Sequence, residues 1–197
     1  LVSILDRFLH ACGFRRCSTL IPDRAIERLV WCSAGVARDF LSLFERAIDY
    51  AQQHQRRRVG VEEVNLSVGE SAQIKMDELE QDASQDARAA RSALERLQRE
   101  VLGQHRSNSF LMRQQPRERV YQLLQKLVDL RLVHLIHPSI TPGRAGERYE
   151  AYLLDYSFYT GVRRRHRLHE LKIAPEERPK WDALRKLPQI DPSLLVG

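Results

Sequence analysis

The chain has 197 residues, 43% of them hydrophobic and 29% charged, with a formal net charge of +6. That balance excludes an intrinsically disordered chain, and no apolar run approaches the ~20 residues that a membrane span needs. No signal-peptide pattern opens the sequence, which starts at Leu1 inside a helical apolar pattern and so points to a piece of a longer protein.

The charge is unevenly spread. Residues 1–68 carry 10 basic and 8 acidic side chains, residues 69–104 carry 5 and 8, and residues 105–197 carry 17 and 10. The basic excess of the C-terminal half makes it the candidate for an anionic partner. Cys12, Cys17 and Cys32 are an odd number without CxxC spacing, which fits small reduced thiols in a cytoplasmic setting. His134 and His137 fall in a predicted strand, where residues three apart face opposite sides. His166 and His169 lack a third ligand nearby, so no metal is expected.

In chain order, Leu1, Ile4, Leu5, Phe8 and Leu9 predict a helix over 1–12, ended by Gly13. Pro22 opens a second helix with Ile26, Leu29 and Val30. It breaks at Ser33 to Gly35. A strong helix from Val36 to Gln53 follows, its stripe being Phe40, Leu43, Phe44, Ala47, Ile48 and Ala51. Arg38 lies opposite that stripe, in the first turn. A cation is mildly unfavourable there, and Leu41 and Ser42 offer it no acid at i+3 or i+4. An unpaired cation in an unfavourable place suits an anion supplied from elsewhere, although a solvated arginine after a helix break would look the same. Arg56-Arg57-Arg58 suggests a phosphate contact or, more plainly, a solvated loop. Val61, Val64 and Leu66 begin a closing helix.

Gly35-Val36-Ala37-Arg38, with Asp39-Phe40-Leu41 after it, resembles the second sensor motif in the helical lid of AAA+ ATPases, most closely the branch related to origin-recognition initiators. The resemblance implies that residues 1–68 are an AAA+ helical lid and that Arg38, with Gly35 opening its helix, senses the γ-phosphate of ATP held by a preceding domain. Charge-assisted Arg–phosphate bonding suits that role. No Gly-x-x-x-x-Gly-Lys-[Ser/Thr] motif is present, so ATP would belong to the parent protein and this part would hold no catalytic residue.

Residues 69–86 are acidic and sparsely apolar and read as a helix, or a helix with a hinge. Ala87, Ala90, Leu94, Leu97 and Val101 give a firmer helix ending near Gly103, so 69–104 would be a linker and the first helix of the next domain. A short strand at Ser109–Met112, a helix from Pro116 to Asp129, a strand at Leu132–Ile136, a turn at Thr141–Gly146 and a strand at Tyr149–Tyr156 complete the pattern. This order resembles a winged-helix domain with a small β-hairpin, spanning 105–173. A lid followed by a winged helix is the C-terminal arrangement of the same ATPase branch. The fold class expected is therefore mainly α.

In a winged helix the Pro116–Asp129 helix would meet duplex DNA. Arg119 and Gln122 could read base edges and Lys126 could hold phosphate, but Glu118 and Asp129 share their face. Arg144 and Arg148 would lie on the wing, and Arg163, Arg164 and Arg165 form the largest basic cluster. Contact with a partner protein is the alternative, as is a stand-alone DNA-binding regulator. Residues 174–197 are a proline-rich tail in which Trp181, Leu184 and Leu187 mark a short helix that packs on the domain or on a partner.

Overall fold

A computed structural model describes residues 1–81, 85–115, 117–143, 147–159, 168–171 and 181–196. The protein is mainly helical with one small four-stranded sheet. It divides into two compact units, residues 1–73 and the described residues from Ile74 onward. Among the described residues no helix is long and apolar enough to cross a membrane.

In the first unit, α1 (Val2–Ala11) buries Leu5 and Leu9. The predicted stripe is only half used, for Ile4 and Phe8 are exposed. Gly13 takes φ +88°, and the Phe14 amide donates to the Leu9 carbonyl at 2.9 Å, closing the helix as a left-handed glycine cap does. A 3₁₀ turn (Cys17–Thr19) buries Cys17, and burial, with Asp6 and Asp23 nearby, pushes its thiol up to about 11. Next, α2 (Asp23–Cys32) starts after Pro22, and α3 (Ala37–Gln53) buries Phe40, Leu43, Phe44, Ala47 and Ala51, five of the six stripe residues.

The helix α4 (Val61–Gln81) is longer than the closing helix expected, running unbroken through Gly69. A Cβ on Gly69 would meet nothing within 4 Å, so this glycine is not a packing requirement. Glu63 caps the helix start by accepting the Gly60 amide at 2.8 Å.

In the second unit, α5 (Gln85–Leu97) passes into a π-helical turn (Gln98–Gln104) in which the His105 amide reaches Glu100 O at 3.0 Å. Ala87, Ala90, Leu94, Leu97 and Val101 are buried, as their spacing predicts. Then come β1 (Ser109–Arg113), α6 (Arg119–Asp129), β2 (Val133–Ile140) and β3 (Tyr149–Leu154). The predicted start of α6 at Pro116 is corrected. Residue 116 lies outside the described residues, the Glu118 amide donates to Gln115 O at 3.0 Å, and Glu118 is extended, so the helix opens at Arg119.

The tail supplies α7 (Trp181–Arg185) and β4 (Gln189–Ile190). The sheet order is β2-β3-β1-β4, antiparallel except for β4, which runs parallel to β1. The tail thus extends the small sheet, beyond the hairpin that the sequence predicts. Leu184 enters the core beside Leu111, Ile140 and Ala151.

The opposed orientation expected for His134 and His137 is also corrected. His134 pairs with Leu153 and His137 with Ala151, with a bulge between them, so the extra residue returns both to one face. Among the described residues no three His, Cys, Asp or Glu side chains gather to hold a metal.

Two buried acids organise this unit. Asp155 accepts from Lys75 Nζ at 2.9 Å, from the Ser157 amide at 3.0 Å and from Ser157 Oγ at 2.6 Å, and His134 Nε2 lies at 3.0 Å. Burial alone would raise its carboxyl pKa. The bonds from His134 and Ser157 and the Lys75 charge outweigh that and hold it well below the usual carboxylate range. Lys75 Nζ also donates to Arg131 O at 3.1 Å, which fixes the second half of α4 to the sheet end. Glu150, buried beneath α6, accepts from Tyr121 OH at 3.0 Å, from Gln114 Nε2 at 3.2 Å and from Tyr152 OH. Gln125 Nε2 reaches Tyr152 OH at 3.5 Å. Burial, and then Glu150, push the Tyr152 phenol far up, so it stays protonated and remains a donor. These bonds set α6 on the sheet.

Candidate nucleotide sensor and nucleic-acid interface

The break before α3 is built from two left-handed residues, Ala34 at φ 48° and Gly35 at φ 84°. Glycine adopts that region freely, whereas alanine there costs about 1–2 kcal/mol. Ser33 Oγ bonds Val30 O at 2.9 Å, and the Val36 amide bonds Ser33 O at 2.9 Å, closing the turn. Val36 is then extended and gives α3 no side-chain cap. Arg38 follows in the first turn, exposed, with no ion pair or side-chain hydrogen bond among the described residues. Uncapped N–H groups and an unengaged guanidinium both favour an anion. Gly35 and Arg38 stand within one turn of chain in the first unit.

Arg119, Gln122 and Lys126 occur at spacing 0, 3 and 7 along α6, which is one helix face. Arg119 is exposed but paired with Asp86 at 3.5 Å. Gln122 is exposed and Lys126 half-buried. Gln125, between them in the chain, reaches Tyr152 OH at 3.5 Å and is directed to the sheet. Arg148 is exposed, and its carbonyl accepts the Gln114 amide at 2.9 Å, which brings it beside the turn that leads into α6. Arg144, Arg163, Arg164 and Arg165 lie outside the described residues.

Two arginines join this set that the sequence reading did not single out. Arg117, in the turn before α6, is exposed and unpaired among the described residues. Arg113 ends β1 opposite Tyr149 and lies 4.0 Å from Glu147. The run Arg113-Gln114-Gln115-Pro116-Arg117-Glu118-Arg119 held the signal: three arginines in seven residues, hidden by reading the run as strand end and helix start. Beside them a cleft of about 520 Å³ opens between the end of β1, the start of α6 and the tail, lined by Arg113, Gln115, Glu118, Tyr149 and Asp191 among others. Gln115 Oε1 is buried with no hydrogen-bond partner among the described residues.

No protein-family model matches the chain, and no curated protein or solved structure matches it either. What remains is the chemistry of two arginine-bearing surfaces, one at a helix N-terminus and one around the β1–α6 turn.

Proposed function

We propose that the chain is the lid and winged-helix part of an AAA+ ATPase, the lid sensing nucleotide through Arg38 and the second unit binding duplex DNA. The observation that carries the reading is Arg38, exposed and without an ion pair among the described residues, in the first turn of α3 after the Ser33–Gly35 break, at the Gly-x-x-Arg spacing for which the sequence resembles the sensor motif. The helix, strand, helix, strand, strand order with antiparallel β1-β3-β2 supports a winged helix in the second unit. The exposed Arg117, Arg119 and Arg148 support an anionic partner there. ATP would be held by the parent's nucleotide-binding domain, with Arg38 coupling the γ-phosphate to the lid.

Arg38→Ala should leave the stability of the chain within about 0.5 kcal/mol, as for a surface side chain without partners. In the parent protein the same change should impair ATP hydrolysis and the nucleotide-driven response. Unchanged hydrolysis together with an unchanged response would overturn the sensor role. For DNA, fluorescence anisotropy with random duplex at several salt concentrations is the test. Arg148→Ala should lower the slope of log K against log salt by about 0.9, uniformly across sequences. A loss confined to one sequence would contradict a phosphate role.

One observation favours a second reading, a docking surface for a protein. Arg119 is already engaged by Asp86, Asp129 is exposed on α6, and Glu118 is exposed just before it. Absence of DNA binding by the whole chain at low salt would select that reading.

A further inference from the structure

The strongest charge feature that this reading does not use lies in the first unit. The loop between α3 and α4 is built rigidly. The Arg56 amide donates to Ala51 O at 2.7 Å, Gln55 takes φ 55°, and Val59 is fully buried. The Val59 amide donates to Leu20 O at 2.9 Å, which ties this loop to the one between α1 and α2. Pro22 and Arg56 to Gly60 line the same hollow.

Arg56 is spent locally. Its Nη2 is 2.9 Å from Glu62 and its Nε 3.4 Å from Glu63. That pairing engages both acids at the start of α4 with one arginine, and Arg57 and Arg58 remain exposed on the arch. The tied loop and the helix it enters add Arg15, Arg16 and Arg24, all exposed. None of these five has an ion pair among the described residues. The acids in the same stretches beyond those that Arg56 engages are Asp23 and Glu27, against five exposed arginines. Two loops joined by a backbone hydrogen bond next to a buried valine, together with the start of α2, thus carry five exposed arginines. An ordered set of arginines suits a row of phosphates, since each can take a phosphate in bidentate fashion.

We infer that the Arg15–Arg16 and Arg57–Arg58 loops, with Arg24 at the start of α2, form a nucleic-acid backbone contact of the first unit, independent of the α6 surface and of the Arg38 role. The contact proposed is with phosphodiester oxygens, which fix position on the duplex and carry no sequence information.

The experiment is anisotropy of the whole chain with random duplex DNA across a salt series, comparing Arg57→Ala/Arg58→Ala with Arg88→Ala/Arg99→Ala. The second pair removes the same charge from exposed positions on α5 and the turn after it, far along the chain from the arginine loops. The first pair should lower the salt slope by about 2, at about 0.9 per phosphate contact, and Arg57→Lys/Arg58→Lys should retain most of it. An unchanged slope in the first pair overturns the inference, as does an equal fall in the control pair. Loss of binding in Arg148→Ala with no change in Arg57→Ala/Arg58→Ala would overturn this inference and leave the α6 reading standing. The reverse result would do the opposite. No binding by the unaltered chain at low salt would overturn both.

Discussion

Replacing Asp155 by alanine is expected to destabilise the second unit by about 3–5 kcal/mol, the usual cost of breaking a buried ion pair from one side. Lys75 would be left with 17% of its side chain exposed and one bond, to Arg131 O, in place of two. His134 Nε2 would lose its only close carboxylate among the described residues. Asp155→Asn keeps an acceptor and should cost less.

The pH dependence follows from the depressed carboxyl pKa of Asp155. A group whose folded pKa is lowered contributes stability that is fully present above its unfolded value, near ~3.9 for aspartate. That contribution is lost as pH falls through the interval between the unfolded and the lower folded value. The gap in stability between the natural chain and Asp155→Asn should therefore be constant near neutral pH and close as the solution is acidified below about 4. Hydrogen exchange of the β1 and β3 amides reads it. A gap that does not change with acid would show that shape, and not charge, makes the contribution of Asp155.

The second large effect concerns the tail. Cutting the chain after residue 180 removes Leu184, Ile190 and Leu195, each 2–3% exposed. Burial of one such side chain stabilises by about 1.5–3 kcal/mol, so the three together approach the whole stability of a small domain. The cut also strips β1 of its parallel neighbour, frees the Leu111 amide from Pro188 O, and removes the Arg96 Nη1 contact with Leu194 O. The truncated chain should lose cooperative unfolding of the second unit and expose the edge of β1 to aggregation. Leu184→Ala alone should cost about 2–5 kcal/mol. A truncated chain with unchanged hydrogen-exchange protection in β1 would make the tail an accessory.

The expectation that the tail packs on the domain or on a partner left its role open. Trp181, Leu184 and Leu187 gave a period but no address, and Gln189-Ile190 is too short a run to read as a strand. A two-residue parallel strand exists only because β1 offers it an edge, and a local pattern carries no trace of an edge supplied from almost 80 residues earlier. The start of α6 was misplaced for a different reason. A proline at 116 reads as a helix opener, but the extended Glu118 delays the helix to Arg119.

The sequence by itself determined the buried faces of α3, α5 and α6, because their apolar residues recur at the helical period and burial follows the stripe. That holds for Phe40 through Ala51 on α3, for Ala87 through Val101 on α5 and its turn, and for Val120 through Leu127 on α6. It also determined the break at Ser33–Gly35 and the lack of an acid one turn on from Arg38, since both depend on near neighbours alone. That Arg38 has no ion pair among the described residues was decided by the tertiary structure. Only the tertiary structure decided the contacts between residues far apart in the chain. Lys75 meets Asp155, Glu150 meets Tyr121, Val59 draws the arginine loop to Leu20, and a β-bulge returns His134 and His137 to one face. The physical reason is that hydrogen bonds and ion pairs act over about 3 Å in space and are blind to separation in sequence. Hydrophobic periodicity, by contrast, is written residue by residue into the chain.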